Sequence, residues 1–154
     1  MAISVHPSVP AKSLKELIAL ARARPGELGY GTPGAGTTHH FVGEMLAVAA
    51  KVKFNHVPFS GGAPSVTATA GGHVPLLISN VSEIAPIAKL GKLRTLVVTT
   101  AERAETMPEV PSYSEAGFPQ LAMTNWAGMV VPAATPPAID RKSTRLNSSH
   151  TDIS

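Results

Sequence analysis

Cysteine is absent from the 154 residues, which excludes a thiol nucleophile, a cysteine-ligated zinc site and any disulfide. Aspartate is missing too until Asp140, so every acidic side chain before it is a glutamate. A Ser-His-Asp triad and an aspartate-held magnesium ion are therefore excluded over residues 1–139. Charge of one sign is also scarce. The formal net charge is +3, but 141–154 holds three of the 13 lysines and arginines and one of the 10 acidic residues, which leaves +1 for 1–140. That is too little for a nucleic-acid-binding face. No apolar run is long enough to span a bilayer. The opening residues, MAISVHPSVPAKS, lack the basic segment followed by an apolar one that marks a secretory leader.

What is present alternates between two periods. Ser13 followed by Glu16 in SLKE is a capping box, and Leu14, Leu17, Ile18 and Leu20 recur at helical spacing. RPGE at 24–27 ends that helix. The short run ELGY then gives way at YGTPGAGTTHH (30–40) to a second helix, expected from about Thr37 to Val52, with Phe41, Met45 and Val48 on one face and Val42, Leu46 and Ala49 beside them. FNHVPF reads as a strand, GGAPSVTATAGG as a glycine-bounded helix and VPLLIS as a buried strand. VSEIAPIAKLG reads as a helix interrupted or started late by Pro86, and LRTLVVTT as another buried strand. Apolar strands alternating with crossover helices predict an α/β fold with a doubly wound, mainly parallel sheet. Ligands of such sheets bind beyond the carboxyl ends of the strands, which selects the loops at 31–38, 59–63, 79–82 and 99–103.

The chemistry these loops carry is that of anion recognition. Gly34, Gly36, Thr37 and Thr38 precede a helix, where free N–H groups, hydroxyls and the positive end of the helix dipole favour a carboxylate or phosphate without a charged side chain. The stretch has no Walker lysine, and its G-x-x-G-x-G spacing differs from the dinucleotide-binding fingerprint. His39 and His40 are adjacent on a helix and point about 100° apart, so a shared metal ion is disfavoured. His40 with Glu44 lacks a third ligand, and His40 is expected to be a structural histidine bonded near the helix start. The alternative reading of Gly34 and Gly36 is a tight turn needing positive φ. Phe59, Gly61 and Gly62 repeat the device at a second helix start. In SNVSE (79–83), Ser79, Asn80 or Ser82 offer a third polar turn or a helix cap. No cofactor is implied. A hydrolase or transferase using Ser79 or Thr37 with His40 is the rival reading.

Four stretches, YGTPGAGTTHHFVGEML, VPFSGGAPSVTATAGGHVPLLISN, IAKLGKLRTLVVTTAERAETMPEVPSYSEAGFP and WAGMVVPAATPPAI, together resemble the Bug family of periplasmic solute-binding proteins, receptors of tripartite tricarboxylate transporters. The resemblance runs from about residue 3 to residue 139. It implies one lobe, mainly the second, of a two-lobed periplasmic-binding-protein-like fold that closes on a small carboxylate. It implies transporter membrane components as partners, a periplasmic location, no enzymatic activity and no nucleic-acid partner. Carried onto this chain, the family's G-x-G-[ST]-x-x-H pattern falls on Gly34, Gly36, Thr37 and His40, and its aromatic-x-G-G turn on Phe59, Gly61 and Gly62. The family usually has tyrosine where Phe59 stands, so any hydrogen bond from a phenol is lost. Residues 1–140 are expected to form an incomplete ligand-binding lobe with crossing segments. The last fourteen, RKSTRLNSSHTDIS, resemble translated sequencing-adapter sequence and are expected to form a disordered tail, because Leu146 and Ile153 alone cannot offset an ordering cost of roughly 1 to 2 kcal/mol per residue.

Overall fold

The computed structural model describes residues 1–125 together with Pro132 and Pro136. The expectation for the 141–154 tail lies outside the described residues.

Five strands form one sheet: β1 (Ala2–Val5), β2 (Gly29–Thr32), β3 (Asn55–Pro58), β4 (Leu76–Ser79) and β5 (Arg94–Val98), in the order β3-β2-β4-β1-β5. Four helices alternate with them: α1 (Leu14–Ala23), α2 (Thr38–Ala50), α3 (Gly62–Ala70) and α4 (Val81–Lys89). β2 pairs in parallel with β3 and β4, while β1 lies antiparallel between β4 and β5. The sheet is therefore mixed: β2, β3, β4 and β5 share one direction, and β1, which the opening residues did not announce, is the exception. The four shared carboxyl ends lie on one edge, so the turns that follow them face the same way.

Alternation along the strands explains the two cores. Ile3, Val5, Tyr30, Leu76 and Ile78 join the cluster formed with Leu14, Leu17 and Ile18 of α1 and Val42, Leu46 and Ala50 of α2. Ala2, Leu77 and Val98 join the opposite cluster, with Val66 of α3 and Ile84 and Ala85 of α4. Successive strand residues point to opposite faces, and the sheet is covered on both, as a doubly wound architecture requires. Within it, the buried Ser4 hydroxyl is satisfied by Thr95 Oγ1 at 3.0 Å.

The helix boundaries follow local chemistry. Ser13 Oγ accepts the Glu16 N–H at 3.2 Å, and Glu16 reaches back to the Lys12 N–H at 2.7 Å. α4 continues through Pro86 rather than breaking there. The cost of that proline falls on the carbonyl of Ser82, an exposed residue, where water can replace the lost bond. The buried face of α2 keeps Val42 and Leu46 of the expected apolar residues but not Phe41 and Val48. His39, Val42, Gly43, Leu46 and Ala50 face inward, whereas Phe41 and Val48 are 53% and 77% exposed. Gly43 turns the helix this way: it is the one position where α2 can approach the fully buried Tyr30 ring, since a Cβ there would lie 2.6 Å from Tyr30 Cζ and 2.9 Å from its hydroxyl oxygen.

Candidate functional site

The turn between β2 and α2 is held from within. Gly36 has φ +74, the conformation that favours glycine. Gly34 does not have a positive φ, and a Cβ there would meet Thr37 Cγ2 at 3.5 Å and the Phe59 carbonyl at 3.6 Å, ordinary van der Waals contact. Thr37 is the N-cap of α2. Its hydroxyl donates to the Gly34 carbonyl at 2.8 Å and accepts the His40 N–H at 3.4 Å. His40 Nδ1 accepts the Gly36 N–H at 3.2 Å, so this histidine is bonded at the helix start as expected. The N–H groups of Thr37, Thr38 and His39, by contrast, have no partner among the described residues. Among the described residues, three consecutive donors thus stand open at the positive end of a thirteen-residue helix.

The turn is braced from behind by residues that sequence reasoning missed. Thr32 Oγ1 donates to the Gly34 carbonyl at 3.1 Å, accepts the Gly34 N–H at 3.3 Å and lies 2.7 Å from His56 Nε2. The His56 ring stacks on His40 with centroids 3.9 Å apart and planes 11° from parallel. Below them Tyr30 donates to Glu44 Oε1 at 2.6 Å, and His40 Nε2 stands 3.7 Å from the same oxygen. Burial first, then Glu44, pushes the Tyr30 phenol far above its ordinary range.

A chain of polar contacts joins this turn to the one after β4. The Thr38 hydroxyl donates to Asn125 Oδ1 at 3.4 Å, Asn125 Nδ2 donates to Asn80 Oδ1 at 3.3 Å, and His39 Nε2 lies 3.1 Å from the same Asn80 oxygen. With that oxygen as acceptor, His39 Nε2 carries the proton. Its Nδ1 is buried without a partner among the described residues. Asn80 caps α4 in a capping box with Glu83, whose Oε2 accepts the Asn80 N–H at 3.3 Å and the buried Ser79 hydroxyl. Phe59 is half-buried, its ring against Gly31, where a Cβ would come 3.1 Å from Cε2. Gly61 caps α3 with φ +131 and no side-chain bond, while Gly62 lies against the Glu83 carboxylate. Gly34, Gly36, Thr37, Thr38, His40, Phe59, Gly61, Gly62, Ser79 and Asn80 therefore all sit along one sheet edge. The loop at 99–103 is used differently: Thr99 is buried and binds the carbonyls of Met1 and Met123. Two recesses lie away from the edge, one of about 250 Å³ between α4 and β5 lined by Lys89, Arg94 and Met107, the other of about 340 Å³ beside Arg22, Lys51 and Lys53.

The same geometry disposes of the rival reading. Ser79 is bonded to Glu83, the Thr37 hydroxyl to Gly34, and His40 Nδ1 to the Gly36 amide. Neither of these two hydroxyls is paired with the His40 imidazole that would have to take its proton.

Burial pushes both His39 and His56 below the ordinary histidine range, with the neighbouring His40 adding to the effect at His56. The unfolded chain then binds protons that the folded one refuses, so stability is full above about pH 6.5 and falls as pH drops towards the lowered values. Urea unfolding at pH 7.5 and pH 5.5 is expected to show this loss, and a smaller loss in His39→Gln. Equal losses in the two proteins would show that His39 is not held neutral.

This α/β lobe, with the α2 N-terminus on the carboxyl edge of its sheet, matches one half of solved periplasmic binding proteins. The family described as "Tripartite tricarboxylate transporter family receptor" matches residues 1–153, and the chain belongs to it. This is a family of solute-binding receptors, not enzymes. A UPF0065 protein of Cupriavidus necator is 39% identical over 133 residues, covering 86% of this chain and 40% of the relative. BugT of Bordetella pertussis is 29% identical over 139 residues, covering 90% and 43%. Among solved structures, an R. palustris protein with adipate superposes with a TM-score of 0.90 at 33% identity, covering 98% of this chain and 51% of that one. MatC of Rhodopseudomonas palustris with bound malate gives 0.85 at 25% identity, covering 98% and 52%. The chain thus spans about half the length of the proteins it matches. No helix among the described residues is long and apolar enough to cross a membrane.

Proposed function

We propose that this lobe contributes one wall of an extracytoplasmic site for a small carboxylate, which the whole receptor delivers to the membrane components of a tripartite tricarboxylate transporter in the periplasm. The ligand carboxylate is held at the α2 turn by the N–H groups of Thr37, Thr38 and His39 and the Thr38 hydroxyl. Gly36 shapes the turn, and Gly34, Thr37 and His40 stiffen it. Phe59 provides an apolar wall, Gly61 and Gly62 leave the neighbouring turn low, and Asn80 supplies a polar side chain, with Ser79 fixed behind it.

The observation that carries this reading is the row of three N–H groups without a partner among the described residues, on a turn braced by its own bonds at Gly34, Gly36, Thr37 and His40. Such a turn is already organised for an anion and needs no charged side chain. The relatives solved with adipate and malate support a carboxylate as that anion. Half of a cleft lacks the other wall's contacts and water exclusion, so calorimetry of this chain with adipate and malate is expected to give dissociation constants on the order of 1 mM, about −4 kcal/mol. Absence of heat at ligand concentrations tenfold higher, with the chain folded, would sink the proposal.

A further inference from the structure

Glu83 lies outside the site read from the sequence, yet it touches two of the turns that form it. Oε2 accepts the Ser79 hydroxyl and the Asn80 N–H in the turn after β4. The rest of the carboxylate rests on the first residue of α3: a Cβ on Gly62 would fall 2.5 Å from Oε2 and nearer still to Oε1. Gly62 is therefore small because a carboxylate of the same chain occupies the space a side chain would take. α3 has no capping side chain of its own, and Pro64 removes one of the N–H groups of its first turn. A negative charge placed there is favoured by the helix dipole, and a second one beside it is repelled.

We propose that Glu83 is a specificity-determining residue. By placing its own charge at the positive end of α3, it leaves this lobe a single seat for a ligand carboxylate, at the α2 turn, and opposes a second carboxylate near Gly61 and Gly62. This rests on the carboxylate reading of the α2 turn. The part of the ligand that runs past Phe59 towards α3 is then uncharged, and a second carboxylate of a dicarboxylate must be met outside this lobe.

Backbone amide shifts on titrating the isotope-labelled chain with acetate, against chloride at matched ionic strength, test the idea in wild type and Glu83→Gln. In wild type the amides of Thr37, Thr38 and His39 are expected to move and those of Gly61, Gly62 and Ala63 to stay. In Glu83→Gln the second group is expected to shift at least threefold more than in wild type. A smaller increase overturns the proposal. If only the α3 amides of Glu83→Gln respond, the role of Glu83 stands and the carboxylate reading of the α2 turn fails. Should Glu83→Gln not fold, wild type alone decides: succinate and monomethyl succinate are expected to bind within threefold of each other, and a larger preference for succinate overturns the single seat.

Discussion

Replacing Gly43 by valine is expected to lower the melting temperature by about 6–12 °C, from an overpacking cost near 3 kcal/mol at about 2–4 °C per kcal/mol in a domain of this size. The Tyr30 ring cannot withdraw from the added methyl groups. It is fully buried, with Phe54 edge-on at 6.2 Å and His56 at 4.9 Å, and its hydroxyl is tied to Glu44 on the same helix. Gly43→Ala is expected to cost less, about 1–2 kcal/mol, because alanine returns roughly 1 kcal/mol of helix propensity. The two residues should be coupled. In a Tyr30→Leu background the alanine substitution is expected to become neutral or stabilising, and a strictly additive double-mutant cycle would show that Gly43 and Tyr30 do not limit the approach of α2.

The second large effect concerns binding. Gly36→Val is expected to weaken carboxylate affinity at least tenfold, about 1.4 kcal/mol, whereas Thr38→Ala should cost one hydrogen bond at most, on the order of 0.5 to 1.5 kcal/mol. The reason is conformational rather than steric. No atom lies within 4 Å of a Cβ placed on Gly36, but φ +74 is strained for a β-branched residue. Valine would release the turn, lose the Gly36 to His40 bond and scatter the three open donors. Asparagine tolerates the left-handed region, so Gly36→Asn is expected to retain most of the affinity. Calorimetry with adipate on the three variants checks the order, and equal, negligible effects of valine and alanine would show that the turn is only a turn.

Much of the fold was visible in the sequence because four strands and four helices each carry their own period and their own stop signals. β1 was not, since a four-residue run, AISV, has too little length to declare a strand, and its partners lie far along the chain. The direction of the sheet was legible for the rest: the four strands inferred from alternation run parallel to one another, and only the unannounced β1 runs against them. The inward face of α2 was legible only at Val42 and Leu46, for a different reason. Hydrophobicity points to Phe41 and Val48, but the close approach to Tyr30 requires Gly43 inside. At the site, glycines and threonines announced the turn, and the positive φ needed at Gly36 was foreseen. Thr32, His56 and Glu83 were not, because nothing in their local sequence tells which turn a side chain will brace. Gly62 looked like a ligand contact, and in the structure its neighbour is Glu83.

The position of β1 bears on how the chain reaches this structure. Ala2 stands opposite Ser79 on one side and Val98 on the other, so β1 is placed only when nearly a hundred residues that follow it are available to receive it. Contacts of such long sequence separation slow folding into the millisecond-to-second range typical of non-local topologies. Until β1 arrives, the facing edges of β4 and β5 remain unpaired, two apolar strands ready to accept a strand from another molecule. Aggregation during refolding, rather than loss of the folded state, is therefore where this lobe is most vulnerable.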